Sequence, residues 1–360
     1  MALTINTNMS SLIAQRSLNN ATNAMNTSIE RMSTGYKINH SKDNAAGYSI
    51  ANIWETQIGS LDVAANNAAT GMDLLTTAEE TYALLTSHLQ RVIDLTEQAA
   101  NGTYGSQSLK AIQSEVYARL QEITRISANA EFNGIKLMAF NLKSDGTEVD
   151  DKSKNAGLGL TYDGINLQVG LYADDNSIIN LNVKCFSNAS VSGLFSIIPA
   201  TVTSESGKTL QQLVNGAVNQ TAVGSYQFSK LNSNVGMEAF AAACCGLKLN
   251  SYSTATETGE FILQTDSKSG AKEMLKFIDE AINDVSKRAT RIGAAQNRVE
   301  SAIEALEVQS QNITSSLSTL RDTDVASESS NYIQQQILQQ ASATLLSTAN
   351  QLPSIALNLI

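Results

Sequence analysis

The sequence predicts a mainly α protein: a long coiled-coil-like helical bundle formed by paired N- and C-terminal segments, with a β-hairpin region and a small mixed insert between them. Three observations carry this expectation. Between Ile278 and Leu320 an apolar residue recurs at alternating steps of three and four: Ile278, Ile282, Val285, Ala289, Ile292, Val299, Ile303, Leu306, Ile313, Leu317, Leu320. That is heptad spacing, interrupted by Gln296 and Ser310. A matching stripe runs through Ile58, Leu61, Ala65, Ala68, Met72, Leu75, Tyr82, Leu85, Leu89 and Val92, and a shorter one through Leu109, Ile112, Val116, Leu120 and Ile123. Finally, the 360 residues include only two prolines, Pro199 and Pro353, so helices at both ends can run long.

Taken in order, residues 1–42 form the N-terminal half of an inner-core helical domain, with a thin apolar stripe of Leu12, Leu18, Ala21, Met25, Ile29 and Met32 among Asn, Ser and Thr. Residues 43–185 form the N-terminal half of the bundle domain. Helical rhythm stops near Asn129, and Asn133-Gly134 opens a stretch punctuated by Gly146, Gly157, Gly159 and Gly164, which signals turns and hairpins. Ile165–Gly170 and Ser177–Val183 alternate like strands. Residues 186–267 are a surface-exposed insert rich in Ser, Thr, Asn and Ala. Its strand candidates are Phe195–Thr203 and Phe261–Thr265, and its helix candidates Leu210–Val218 and Asn234–Ala243. Residues 268–320 return as the C-terminal bundle helix, with Ile282, Val285, Ile292, Val299, Ile303, Leu306 and Ile313 as its seam.

Residues 321–360 complete the inner-core domain, with Ile333, Ile337, Ala341, Leu345, Ala349 and Leu352 amid Gln, Ser and Thr. Burying a Leu or Ile gives about 1.5–3 kcal/mol, whereas ordering a residue costs about 1–2 kcal/mol. Stripes this sparse need partners. Both ends are therefore expected to be poorly ordered alone and to become helical when neighbouring copies cover Leu18, Met25, Ile29, Ile337, Leu345 and Leu352.

Composition narrows the function classes. The 24 Lys and Arg against 34 Asp and Glu give a net charge of −10 and a pI near 4.8, which disfavours nucleic acid as a partner. No apolar run approaches the roughly 18 residues of a membrane span, and Met1–Gln15 shows neither a basic n-region nor a continuous apolar h-region. Cys185, Cys244 and Cys245 lack the spacing of a metal site and read as small buried hydrophobes. His40 and His88 are the two histidines, far apart and outside any ligand pattern. Gly157-Leu158-Gly159 has no phosphate-loop context. Glu79-Glu80 and Asp174-Asp175 read as solvated faces. No catalytic constellation, cofactor site or metal site is expected.

The segment Glu30–Ala51, ERMSTGYKINHSKDNAAGYSIA, resembles the N-terminal signature of bacterial flagellins. EFNGIKLM around Asn133-Gly134, LQVGLYADDNSIINLNV, GAAQNRVESAI from Gly293, RDTDVASESS from Arg321 and the terminal ILQQASATLLSTANQLPSIALNLI are similar to the family in order and spacing. The likeness covers about residues 1–185 and 268–360, and no motif in the insert carries it.

This resemblance implies a non-enzymatic structural subunit, exported unfolded and polymerised into an extracellular helical filament used for swimming. It also implies partners: further copies of the chain, flagellar cap and hook-associated proteins, an export chaperone at the C-terminal segment, and the vertebrate receptor toll-like receptor 5. Arg91, Leu95 and Glu115 would occupy the positions that receptor reads. Ile93 and Asp94 stand where the pattern has a basic residue and a Glu. The rival readings are a hook-filament junction protein, against which the ILQQA and NQxP pattern counts, and a secreted adhesin or immune ligand.

Overall fold

The structure is a computed structural model, describing residues 8–138, 165–172, 174–181, 185–196, 210, 212, 214, 234–245, 247–253, 258–263 and 267–357. In chain order the elements are α1 (Met9–Thr34), α2 (Ala45–Ala100), α3 (Ser106–Asn129), β1 (Glu131–Phe132), β2 (Ile135–Lys136), β3 (Ile165–Gln168), β4 (Ile178–Leu181), α4 (Val191–Ser196), α5 (Asn234–Cys244), β5 (Leu247–Ser253), β6 (Thr258–Leu263), α6 (Ser267–Arg321) and α7 (Val325–Leu357). The fold is mainly α, with three two-stranded antiparallel sheets among the described residues, β1–β2, β3–β4 and β5–β6. The chain divides into two compact units, residues 1–63 with 306–360, and residues 64–305.

In the first unit α1 and α7 pair antiparallel. Thr22 Oγ1 accepts from Gln339 Nε2 at 3.1 Å, and Ser11 Oγ donates to Asn350 Oδ1 at 2.7 Å. Apart from Glu328, the buried positions are small and fall at multiples of seven: Ala14, Ala21 and Ser28 on α1, Ser342 and Ala349 on α7. Small side chains at heptad spacing let two helices approach closely without a large core. The ends were expected to be poorly ordered alone; here each instead supplies the other's partner.

Local caps fix where these helices begin. Asn8 Oδ1 accepts from Ser11 N at the start of α1, Asn44 Oδ1 from Gly47 N ahead of α2, and Asp324 Oδ1 from Ala326 N at the start of α7. The α1–α2 and α6–α7 turns are joined by Lys37 N to Arg321 O (2.6 Å) and Thr323 N to Gly35 O (2.9 Å). Arg321 lies over the Tyr36 ring at 4.2 Å and pairs with Glu55 at 3.0 Å.

The second unit holds one continuous apolar core. α2 contributes Leu75, Tyr82, Leu85, Leu89, Val92 and Leu95; α3 contributes Leu109, Val116, Leu120 and Ile123; α6 contributes Phe277, Ile278, Val285, Ile292 and Val299. The α6 face differs from the expected seam at alternate positions only. Ala281 and Arg288 are fully enclosed, while their neighbours Ile282 and Ala289, together with Ile303, are only half-buried. Ile278, Val285, Ile292, Val299 and Leu306 are buried at the expected positions, while the alternate positions 282 and 289 give way to 281 and 288, which puts a charge on the seam; Ile313 is half-buried.

The Asn133-Gly134 turn has φ of 48° and 79° and closes β1–β2. Both central residues are left-handed, as a two-residue hairpin with a right-handed strand twist requires. β3 and β4 pair from Ile165–Leu181 to Gln168–Ile178, as the alternation predicts.

The insert needs three corrections. Phe195 was expected to open a strand but lies in helix α4, where Ser190 Oγ accepts from Gly193 N at 3.3 Å as the cap; 197–203 lie outside the described residues. Leu247–Ser253 is a strand that the periodicity did not announce, paired with Thr258–Leu263 where Phe261–Thr265 was expected. The described insert residues are also not a separate layer, because Phe186, Phe195, Phe240 and Leu247 belong to the bundle core, with Phe195 and Phe240 rings 4.5 Å apart. The expected helix Asn234–Ala243 corresponds to α5. Of Leu210–Val218, only positions 210, 212 and 214 are described, and these are helical; Gly146, Gly157, Gly159, Gly164 and Pro199 lie outside the described residues.

Candidate functional site

The α1–α7 pair buries little and exposes much. Because its seam is built from Ala and Ser, the large apolar side chains project elsewhere. Met9, Leu12, Ile13 and Ile29 on α1 are exposed, as are Val325, Ile333 and Leu338 on α7; Ile337 and Leu345 reach 61% and 62% exposure. Leu18 and Met25 are half-buried, and the Leu352 side chain lies outside the described residues. A groove of about 540 Å³ between the two helices is lined by Ile13, Ala14, Ser17, Ser342, Leu345 and Ala349.

The electrostatics of this surface are as telling as its apolarity. In a chain of net charge −10, the charged residues of α1 are Arg16, Glu30 and Arg31, and that of α7 is Glu328. Glu328 is buried, 3.8 Å from Arg31. The face is thus aliphatic carbon, hydroxyls and amides. Copies of an acidic protein can approach there without the like-charge repulsion met elsewhere on the surface. Nine exposed apolar residues on two paired helices, of which Ile13 and Leu345 line one groove, make a candidate interface.

A second group sits on α2 and α3. Arg91 Nε donates to Glu115 Oε1 at 3.0 Å, its Nη2 lies 2.9 Å from the same oxygen, and Arg119 Nη2 is 3.7 Å away. Arg91 is exposed and Glu115 partly so, whereas Leu95 is 1% exposed and packs into the core. The structure brings Arg91 and Glu115 together on the surface. Leu95 supports that face from beneath and offers no side-chain atoms to a partner.

Sequence reasoning missed Arg288 and Tyr82 as polar elements of the core. Tyr82 Oη donates to the Cys185 carbonyl at 3.0 Å, and Arg288 pairs with Asp284 at 2.5 Å. The available signal was Arg288 standing three residues after Val285 and four before Ile292, on the heptad seam. Burial pushes the Tyr82 phenol up to about 12. Cys185, Cys244 and Cys245 are free and buried, and desolvation raises all three thiols, Cys244 to about 12, so they pack as apolar groups. Among the described residues no cluster of His, Cys, Asp or Glu could hold a metal ion, and no helix is long and apolar enough to cross a membrane.

Comparison with known proteins places this arrangement. The family model for the bacterial flagellin N-terminal helical region matches residues 5–142, and that for the bacterial flagellin C-terminal helical region matches residues 275–360. The chain is 31% identical over 382 residues to polar flagellin F of Vibrio parahaemolyticus, covering 100% of both chains. It is 34% identical over 386 residues to flagellin D of Vibrio cholerae and 34% over 383 residues to flagellin D of Vibrio anguillarum, again covering 100% of each. These alignments run end to end, through the insert in which no motif was recognised. With both helical regions matched and relatives aligned over the full length, the chain belongs to the bacterial flagellin family.

Proposed function

We infer that this chain is the structural subunit of a flagellar filament, joining copies of itself through the exposed apolar face of the α1–α7 pair. The observation that carries this is the inversion of that pair: small residues face inward and Ile13, Ile337 and Leu345 face out. Each large side chain covered by a neighbouring copy contributes about 1.5–3 kcal/mol, and a polymer repeats that gain at every subunit. The role is mechanical, extracellular and without catalysis. Cap and hook-associated proteins, built to meet the same helices, and an export chaperone holding the C-terminal segment are the partners this reading proposes. The Arg91–Glu115 surface is the one toll-like receptor 5 would read.

Electron microscopy of the purified protein with and without Ile337→Asp plus Leu345→Asp tests this reading. Wild type should form long tubes, and the doubly substituted chain should remain a helical monomer by circular dichroism. Long tubes from the variant would remove the face from assembly, and short capped complexes from wild type would favour a junction role.

A further inference from the structure

The start of the insert is held by its backbone. Tyr82, on α2, donates its hydroxyl to the Cys185 carbonyl at 3.0 Å and lies 3.4 Å from that of Ser187. Arg288, on α6, donates Nη1 to the carbonyls of Ser187 (3.1 Å) and Asn188 (3.0 Å). Three acceptors within four residues, the carbonyls of Cys185, Ser187 and Asn188, are thus shared between side chains from two different helices. Arg288 is 1% exposed; Asp284 balances its charge and the two carbonyls accept from Nη1, while among the described residues Nη2 has no hydrogen-bond partner of good geometry.

Within the segment the Phe186 side chain is buried in the core. Among the described residues the Ser187 hydroxyl is enclosed without a hydrogen-bond partner, although the same residue's carbonyl is gripped twice. Downstream, Asn188 Oδ1 accepts from Ser190 N at 2.9 Å, and Ser190 caps α4. Gly193 then lies so close over Asn188 that a Cβ there would stand 2.3 Å from the carbonyl oxygen Arg288 binds. A glycine is required for the grip to close.

We propose that residues 185–190 form a strap that ties α2 to α6 through main-chain carbonyls, a conformational lock that adds backbone acceptors to the core packing of Phe186. Opening it frees the strap and α4 together, withdrawing Phe186 and Phe195 from the core. The lock has two keys on separate helices, so displacement of either helix is felt at the root of the insert.

Hydrogen exchange on the full-length monomer tests this, reading the amides of Ser190, Gly193 and Leu194 against those of Val116, Leu120 and Ile123 in α3. Tyr82→Phe, Arg288→Met and Gly193→Ala should each speed exchange in the first group by about tenfold or more, leaving α3 unchanged. Ser187→Ala should leave both groups unchanged. Tyr82→Phe removes one oxygen and keeps the ring, so it reports even where Arg288→Met fails to fold. Unchanged exchange in Tyr82→Phe, an equal rise in α3, or a rise in Ser187→Ala as large as in Tyr82→Phe would each overturn the proposal.

Discussion

Glu238 sits on α5 with 6% of its surface exposed, and its Oε2 has no hydrogen-bond partner among the described residues. Burial pushes its carboxyl from an ordinary 4.5 up to about 7. Between those two values the unfolded chain has released the proton while the folded chain keeps it, so this group's contribution to stability falls as pH rises from about 4.5 to 7 and is level above. The effect is roughly 1–3 kcal/mol. Glu238→Gln should shrink the stability difference between pH 5 and pH 8 by that amount, measured by denaturant unfolding of the monomer. An unaltered pH dependence would show that the carboxyl is solvated. Single residues of this kind are the least legible part of the chain. Nothing local distinguishes Glu238 from any solvated glutamate, because its burial is decided by the insert folding back onto α3. The cysteines were readable as apolar fillers, since their spacing excluded other roles.

At the scale of elements, legibility followed periodicity. Helices α2, α3 and α6 repeat their apolar residues often enough that the sequence alone marks them, and Asn133-Gly134 demands its hairpin. The α6 seam was readable to within one position. The two positions that differ are Ala281 and Arg288, a small residue and a charge, which a search for large aliphatics passes over. The insert elements were less readable because tertiary packing overrides short local patterns: Phe195 goes into a helix to reach Phe240. The phase of α6 has a measurable consequence. Val299 is fully enclosed while Ile303 is half-buried. Val299→Asp should therefore cost the monomer about 3–5 kcal/mol, and Ile303→Asp less by about 1–2 kcal/mol while still lowering the melting temperature by more than about 2 °C. Guanidinium unfolding followed by circular dichroism gives the ranking, and a larger loss for Ile303→Asp would return the seam to the other phase.

For the whole molecule, the two units differ in what they need from neighbours. Residues 64–305 enclose a continuous core, whereas α1 and α7 meet along a few small side chains and leave their aliphatic residues in solvent. This division of labour was partly legible: sparse stripes at both ends announced a dependence on partners, but not that the helices would first pair with each other. It predicts that the chain trimmed to residues 42–326 keeps its helical content and cooperative melting yet sediments only as monomer, since the core is intact and the apolar face is gone. The trimmed chain also retains Arg91 and Glu115 paired at 2.9 Å, so it should still activate reporter cells carrying toll-like receptor 5, and Arg91→Ala in that background should weaken the response about tenfold or more. Tubes of wild-type length from the trimmed chain would move the assembly surface off α1 and α7. A full response from its Arg91→Ala form would move recognition to another face of the bundle.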